Sequence, residues 1–279
     1  ASDVYKRQLK QSAEALSFWA VDSWQVNEAL ELNLLLRYED VQSEQKDYVD
    51  PGRLAVKSKR ENNNDEWLPG ASFTYDVTDE WQVLAGVHNG FSPLGGGARE
   101  NEEPETSTNW EAGVRYHSDW FVEAIGFYSD FDNKTEYCSN ATPCSNGEVF
   151  GSFNTGKAEI AGLELQVGTQ FTAGSFAVPL DLMYTYTDAT ISEDNAFIGV
   201  ENGDELAAIP KNTASLRLGL EAANGWDNYA IARYVDSMCT DVGCNNSDSQ
   251  FDETEDYVVL DLISRYPVMA DVVAYVKVE

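Results

Sequence analysis

The sequence predicts an all-β chain, an antiparallel transmembrane β-barrel fragment of about twelve strands. Three observations predict it. Apolar and polar residues alternate with a period of two, long and short connections alternate, and tryptophans recur just after short turns. Period-two alternation gives a strand one apolar and one polar face. Helix-period patterns are not evident, and 14 Tyr and 7 Trp favour strands. No apolar run reaches the ~18 residues of a transmembrane helix, whereas a barrel strand needs only about 9–11.

The clearest strand runs over residues 30–38, where Leu30, Leu32, Leu34, Leu36 and Tyr38 alternate with Glu31, Asn33, Leu35, Arg37 and Glu39. The pattern recurs at 71–77 (Ala71, Phe73, Tyr75, Val77), 109–116 (Trp110, Ala112, Val114, Tyr116) and 162–167 (Leu163, Leu165, Val167). It appears again at 180–187 (Leu180, Leu182, Tyr184, Tyr186) and 214–221 (Ala214, Leu216, Leu218, Leu220). Further runs lie near 14–23, 81–90, 119–132, 226–237, 255–267 and 271–279.

Short turns fall near Asp79, Ser118, Ala173, Asn224 and Met269, and long connections near 40–64, 91–105, 133–153, 188–209 and 238–254. A soluble sandwich has no reason to place every long connection at one end. An outer-membrane barrel has one, with short periplasmic turns and long extracellular loops. Trp81, Trp120 and Trp226 each open a strand after a short turn, which sets three indoles at one level as an interfacial girdle requires.

A formal net charge of −30 argues against nucleic acid as a partner and reads first as solubility or adaptation to a salty medium. Cys138 with Cys144 and Cys239 with Cys244 form two close pairs in polar stretches, suited to disulfide staples in an oxidising compartment. Free thiols are the alternative. A zinc site would want tighter pairs and more histidine than His88 and His117. Residues 1–13 are unassigned. Within them, 3–8 resemble a translated sequencing adapter and are excluded from fold reasoning. The last segment stops in mid-pattern, so 14–279 is expected to be part of a larger barrel.

Several blocks in order resemble the barrel of TonB-dependent receptors. Phe91-Ser92-Pro93-Leu94 precedes Glu105 to Tyr116, with Asn109-Trp110-Glu111, Gly113 and Arg115-Tyr116. Asn154, Gly156 and Ala158 precede Gly162-Leu163-Glu164, and Asp261-Leu262, Arg265-Tyr266 and Tyr275 to Glu279 resemble the penultimate strands. The flavour is closest to ferric-citrate and related siderophore receptors. The resemblance implies a barrel of about 22 strands, an N-terminal plug, and active uptake of a ferric siderophore or similar metal chelate driven through TonB. It implies a bacterial outer-membrane location, lipid and lipopolysaccharide neighbours, no covalent chemistry and no cofactor. This stretch would supply roughly the second half of the wall, without the plug. Gly113 and Gly162 would admit the plug closely. Glu111, Arg115, Glu164 and Arg217 would be inward charges that pair across strands or with the plug.

An anionic or polar chelate calls for Arg and aromatic groups near the mouth. Arg60, His88, Asn89, Arg99 and Arg233 are the candidate ligand contacts, each with an ordinary loop or lumen role as its plainer reading. Gly95–Gly97 lack the strand–helix setting of a phosphate loop and read as a flexible connection. Asp248, Asp252, Glu253, Glu255 and Asp256 read as a solvated charge run, with Ca²⁺ binding the sharper alternative. No nucleophile–base set stands out, so no catalytic residue and no resident metal site are assigned. The competing functions are a passive porin or other outer-membrane barrel, and a soluble secreted β-sandwich whose apolar faces would pack against a second sheet.

Overall fold

The computed structural model describes residues 8–50, 52–98, 102–138, 151–195, 200–240, 242–244 and 253–279, with the backbone alone at 135–138 and 151–155. Twelve strands follow one another: β1 Gln8–Gln25, β2 Leu30–Tyr48, β3 Val56–Asp76, β4 Trp81–Ser92, β5 Glu105–His117 and β6 Trp120–Cys138. They continue with β7 Gly151–Ala173, β8 Phe176–Ile191, β9 Asn212–Ala222, β10 Asp227–Val235, β11 Tyr257–Met269 and β12 Val272–Val278. All twelve form one antiparallel meander in sequence order. Among the described residues β1 and β12 pair on one side only, so the sheet is open. In lipid such edges would leave backbone donors and acceptors unpaired, so a spanning wall needs them closed.

Register carries the sequence alternation across the sheet. Residues directly opposite in an antiparallel pair share a face. Leu34, Ala71, Val87, Trp110, Tyr128 and Ala161 form one unbroken cross-strand row on the outer face. Among the described residues no second layer covers this face: Leu34 is 58% exposed and Trp67 60%. Each such side chain left in water forgoes about 1.5–3 kcal/mol of burial, so lipid is its fitting solvent. A sandwich would have sealed these residues.

Aromatic pairs bound the apolar band. Tyr38 packs on Trp67 with ring centroids 4.8 Å apart, and Trp110 on Tyr128 at 5.5 Å. At the short-turn end Trp81 packs on Tyr116 at 4.9 Å, and Trp226 donates its indole N–H to Ser264 Oγ at 3.0 Å. Trp67 to Tyr75 spans roughly 26 Å of strand, or roughly 20 Å of bilayer at a tilt of about 40°.

The short turns stand as expected, at 77–80, 118–119, 174–175, 223–226 and 270–271, with a further one at 26–29. The connection expected over 40–64 is corrected. β2 and β3 run on as one ladder from Asp40↔Asp65 to Tyr48↔Val56, and the turn is only 49–55. The ladder continues beyond the bilayer, where both faces are wet and alternation disappears. β1 likewise begins at Gln8, which pairs with Tyr48, and residues 1–7 lie outside the described residues.

Because the wall is one sheet thick, its main buried cluster lies at the long-connection end. Ala158, Ala189, Ile191, Val200 and Leu206 pack together there, with Phe131, Ile160, Ile209 and Val242 against them.

Candidate functional site

The inner face of the sheet is polar, and its register builds ion pairs between facing residues. Arg115 lies opposite both Gln82 and Glu123, donating to Gln82 Oε1 at 2.8 Å and to Glu123 Oε2 at 2.6 Å. Arg217 faces Asp181 across β8 and β9 and donates to it at 2.9 Å. Tyr229 sits between two guanidinium groups, Arg217 at 5.5 Å and Arg265 at 5.6 Å from the ring centroid, and its hydroxyl donates to Glu221 at 2.6 Å. Cation–π geometry of this kind fixes the ring between the charges. The expected cross-strand pairing of Arg115 and Arg217 is thus present.

Glu111 and Glu164 differ. Among the described residues neither carboxylate has a cationic partner, and both open onto a cleft of about 240 Å³ with His88, Asn109, Phe127 and Ser129. Gly113 and Gly162, on the inner face, are closely bordered from within the sheet. A Cβ on Gly162 would stand 2.4 Å from the Phe127 ring and 2.1 Å from Tyr186 O. One on Gly113 would stand 2.4 Å from Ala124 O. Aromatic cover of a strand glycine pins register.

At the mouth, the connection after β4 folds back onto the inner face of the β2–β3 extension. Ser43 donates to Leu94 O at 2.9 Å, Leu94 N donates to Asn64 Oδ1 at 3.1 Å, and Asn62 donates to Gly95 O at 3.1 Å. Arg60 donates to Gly97 O at 2.8 Å, and Leu94 and Ala98 are buried. The flexible reading of Gly95–Gly97 is corrected: the stretch is docked. Gly96 permits it, since a Cβ there would meet the Glu44 carbonyl carbon at 2.6 Å. Sequence reasoning missed Ser43, Asn62 and Asn64. They lie in a stretch with no apolar–polar alternation, so the sequence gives no sign of their role.

The candidate contacts separate accordingly. Arg60 is on the inner face beside the docked connection. His88 is exposed on the inner face opposite Gly70 and Asn109. Asn89 is its strand neighbour and points to the outer face, its amide donating to Thr108 Oγ1 at 3.1 Å. His88 and Asn89 therefore cannot line one lumen site. Arg233 is on the inner face, ion-paired with Asp261, which is 1% exposed and lies 3.9 Å from Lys277 Nζ. Arg99 lies outside the described residues.

Of the cysteines, Cys239 and Cys244 form a disulfide with Cα atoms 5.2 Å apart. Cys144 and the side chain of Cys138 lie outside the described residues, as do Asp248 and Asp252 of the acidic stretch.

A single-layer antiparallel wall with a lipid-suited outer face, a charged inner face and all longer connections at one end defines an outer-membrane β-barrel. The family model "TonB dependent receptor-like, beta-barrel" matches residues 2–278, and the chain belongs to that family. It is 29% identical over 217 residues to the metal-pseudopaline receptor CntO of Pseudomonas aeruginosa, covering 75% of this chain and 28% of that protein. It is 25% identical over 171 residues to the pesticin receptor of Yersinia pestis, covering 58% and 24%. The chain therefore spans about a quarter of the curated relatives it matches. Its fold superposes on the ferric citrate transporter FecA with a TM-score of 0.74 at 20% identity, covering 98% of this chain and 41% of that one. For the ferric yersiniabactin uptake receptor FyuA from Yersinia pestis the TM-score is 0.72 at 19% identity, covering 94% and 39%. The matched relatives are receptors and transporters, not enzymes, and the chain is outer-membrane barrel wall.

Proposed function

We propose that the protein to which this wall belongs imports a scarce metal chelate, a ferric siderophore or close analogue, across the outer membrane, energised through TonB. The observation that carries the reading is the inner wall. It holds two exposed carboxylates, Glu111 and Glu164, that have no cationic partner among the described residues and share one cleft with His88. Like charges left uncompensated on one wall favour a cationic group from whatever fills the lumen. A plug with basic side chains would supply such a group. The names of two relatives, a metal-pseudopaline receptor and a ferric yersiniabactin uptake receptor, support the choice of cargo class. Arg60, on the inner face toward the mouth, is the proposed contact for an anionic chelate; His88, Arg99 and Arg233 remain secondary candidates, His88 sharing its cleft with Glu111 and Glu164 and Arg233 being engaged by Asp261.

The test is growth under iron limitation on a panel of ferric chelates, with and without the gene, in tonB-positive and tonB-null hosts. Growth on one chelate that needs both the gene and tonB is expected. Gene-independent growth on every chelate removes the iron assignment, and gene-dependent growth that ignores tonB favours a passive barrel.

A further inference from the structure

In a chain of 48 acidic and 18 basic residues, a strand cation readily finds a carboxylate. On the inner face Arg37, Arg115, Arg217, Arg233, Arg265 and Lys277 each have one. Arg60 is the exception among the described residues. Its Nη1 donates to a neutral acceptor, Gly97 O of the docked connection, at 2.8 Å, and the side chain is exposed. Register keeps acids away from it. Arg60 faces Gln45, which faces Gln11, and the neighbouring row toward the bilayer is Asn62, Ser43 and Ala13. Glu44 and Glu61 fall on the opposite face, where Lys46 and Lys59 engage them. Asp47, on the inner face one row further out, accepts from Ser58 at 2.9 Å. A Cβ on Gly97 would stand 2.6 Å from Gln45 Oε1, so the connection that steadies Arg60 is seated on the same amide.

Resting on the import reading above, we infer that Arg60 is a carboxylate-binding site at the mouth of the lumen, and that the cargo chelate carries a carboxylate its metal does not engage. A guanidinium with one N–H committed still offers two parallel N–H groups, the fork that a carboxylate accepts bidentately. The Gly97 carbonyl holds the side chain in place, so less rotamer freedom is lost on binding. The neutral amides matter as much as the cation. Gln45 accepts from Gln11 at Oε1, 2.8 Å away, and carries no charge of its own to cancel Arg60. Acids more than about 8 Å away are largely screened at physiological salt, so these neighbours decide what the site attracts. The rows around Arg60 hold no aromatic ring, which leaves a catecholate nothing to stack on.

The experiment titrates the full-length receptor in detergent with a panel of ferric chelates, read by quenching of tryptophan fluorescence. Half the panel keeps a free carboxylate (ferric citrate and citrate–hydroxamate chelates), and half has none (tris-catecholates and tris-hydroxamates). Binding is expected within the first half only. Arg60→Gln and Gln45→Glu should each weaken it about 10- to 100-fold, the first by removing the cation and the second by neutralising it where it stands. Gln45→Glu keeps the side chain's shape and the acceptor for Gln11, and unchanged protease resistance at 93–98 shows that the mouth is intact. The inference is overturned if the tightest binder lacks a free carboxylate, if no carboxylate chelate binds, or if either variant matches its parent. Uptake of a carboxylate-free chelate that needs both the gene and tonB would overturn this inference and leave the import reading standing. Carboxylate-dependent binding at Arg60 without gene-dependent growth would do the reverse.

Discussion

The bilayer wall and the cap at its long-connection end are held together in opposite ways. The wall has no interior: Leu34, Leu36 and Phe73 face outward, and its cohesion is backbone ladder plus inner-face pairs such as Arg217 with Asp181. The cap has a small core of its own, in which Ile191 is 1% exposed and the Cys239–Cys244 loop inserts Val242. Lipid does for the wall what buried side chains do for the cap. The same apolar residue is therefore stabilising by exposure in one region and by burial in the other.

Substitutions can break that comparison, and the largest effect belongs to the cap. Ile191→Ala should remove about 2–5 kcal/mol of local stability, read as faster amide exchange confined to the 188–211 region. Faster exchange throughout the barrel would show that cap and wall are one cooperative unit. Leu34→Arg, in mid-bilayer on the outer face, should cost about 2–4 kcal/mol in denaturant unfolding of the full-length protein in bilayers. A smaller effect sharpens the boundary: Asn64→Ala strands the buried Leu94 N–H and should cost about 1–3 kcal/mol, opening 93–98 to proteolysis while leaving the wall intact. The smallest is electrostatic. Hydrogen bonds from Lys46 and Lys59 hold the Glu44 carboxyl below its ordinary range. A depressed carboxylate stabilises the fold above its unfolded pKa and loses that contribution as pH falls through the folded value. The β2–β3 extension should therefore loosen slightly only in acid, below the usual carboxylate range, and Glu44→Gln should abolish that dependence.

How much was legible in the sequence follows from the same contrast. Where one face meets lipid and the other the lumen, as at Leu30 to Tyr38, alternation places every side chain correctly. Beyond Asp40 both faces are wet, alternation carries no information, and the β2–β3 ladder looks like a loop in the sequence. The inward charges Arg115 and Arg217 were recognisable from parity, and the Cys239–Cys244 staple from spacing. Parity also separates His88 from Asn89 without any structure. The ring of Phe127 over Gly162 and the docking of Gly96 on Glu44 are contacts between distant segments, which depend on register and on side-chain direction, neither of which is local.

The central claim is that β2 carries lipid on one side and lumen on the other. Single-cysteine spin labels at each position from 31 to 37 of the full-length protein in bilayers, in a background without the native cysteines, test it directly. Collision rates with oxygen should peak at 32, 34 and 36, and those with a polar nickel chelate at 31, 33 and 37. A profile without period two, or oxygen collisions no more frequent at Leu34 than at Asn33, would contradict the account.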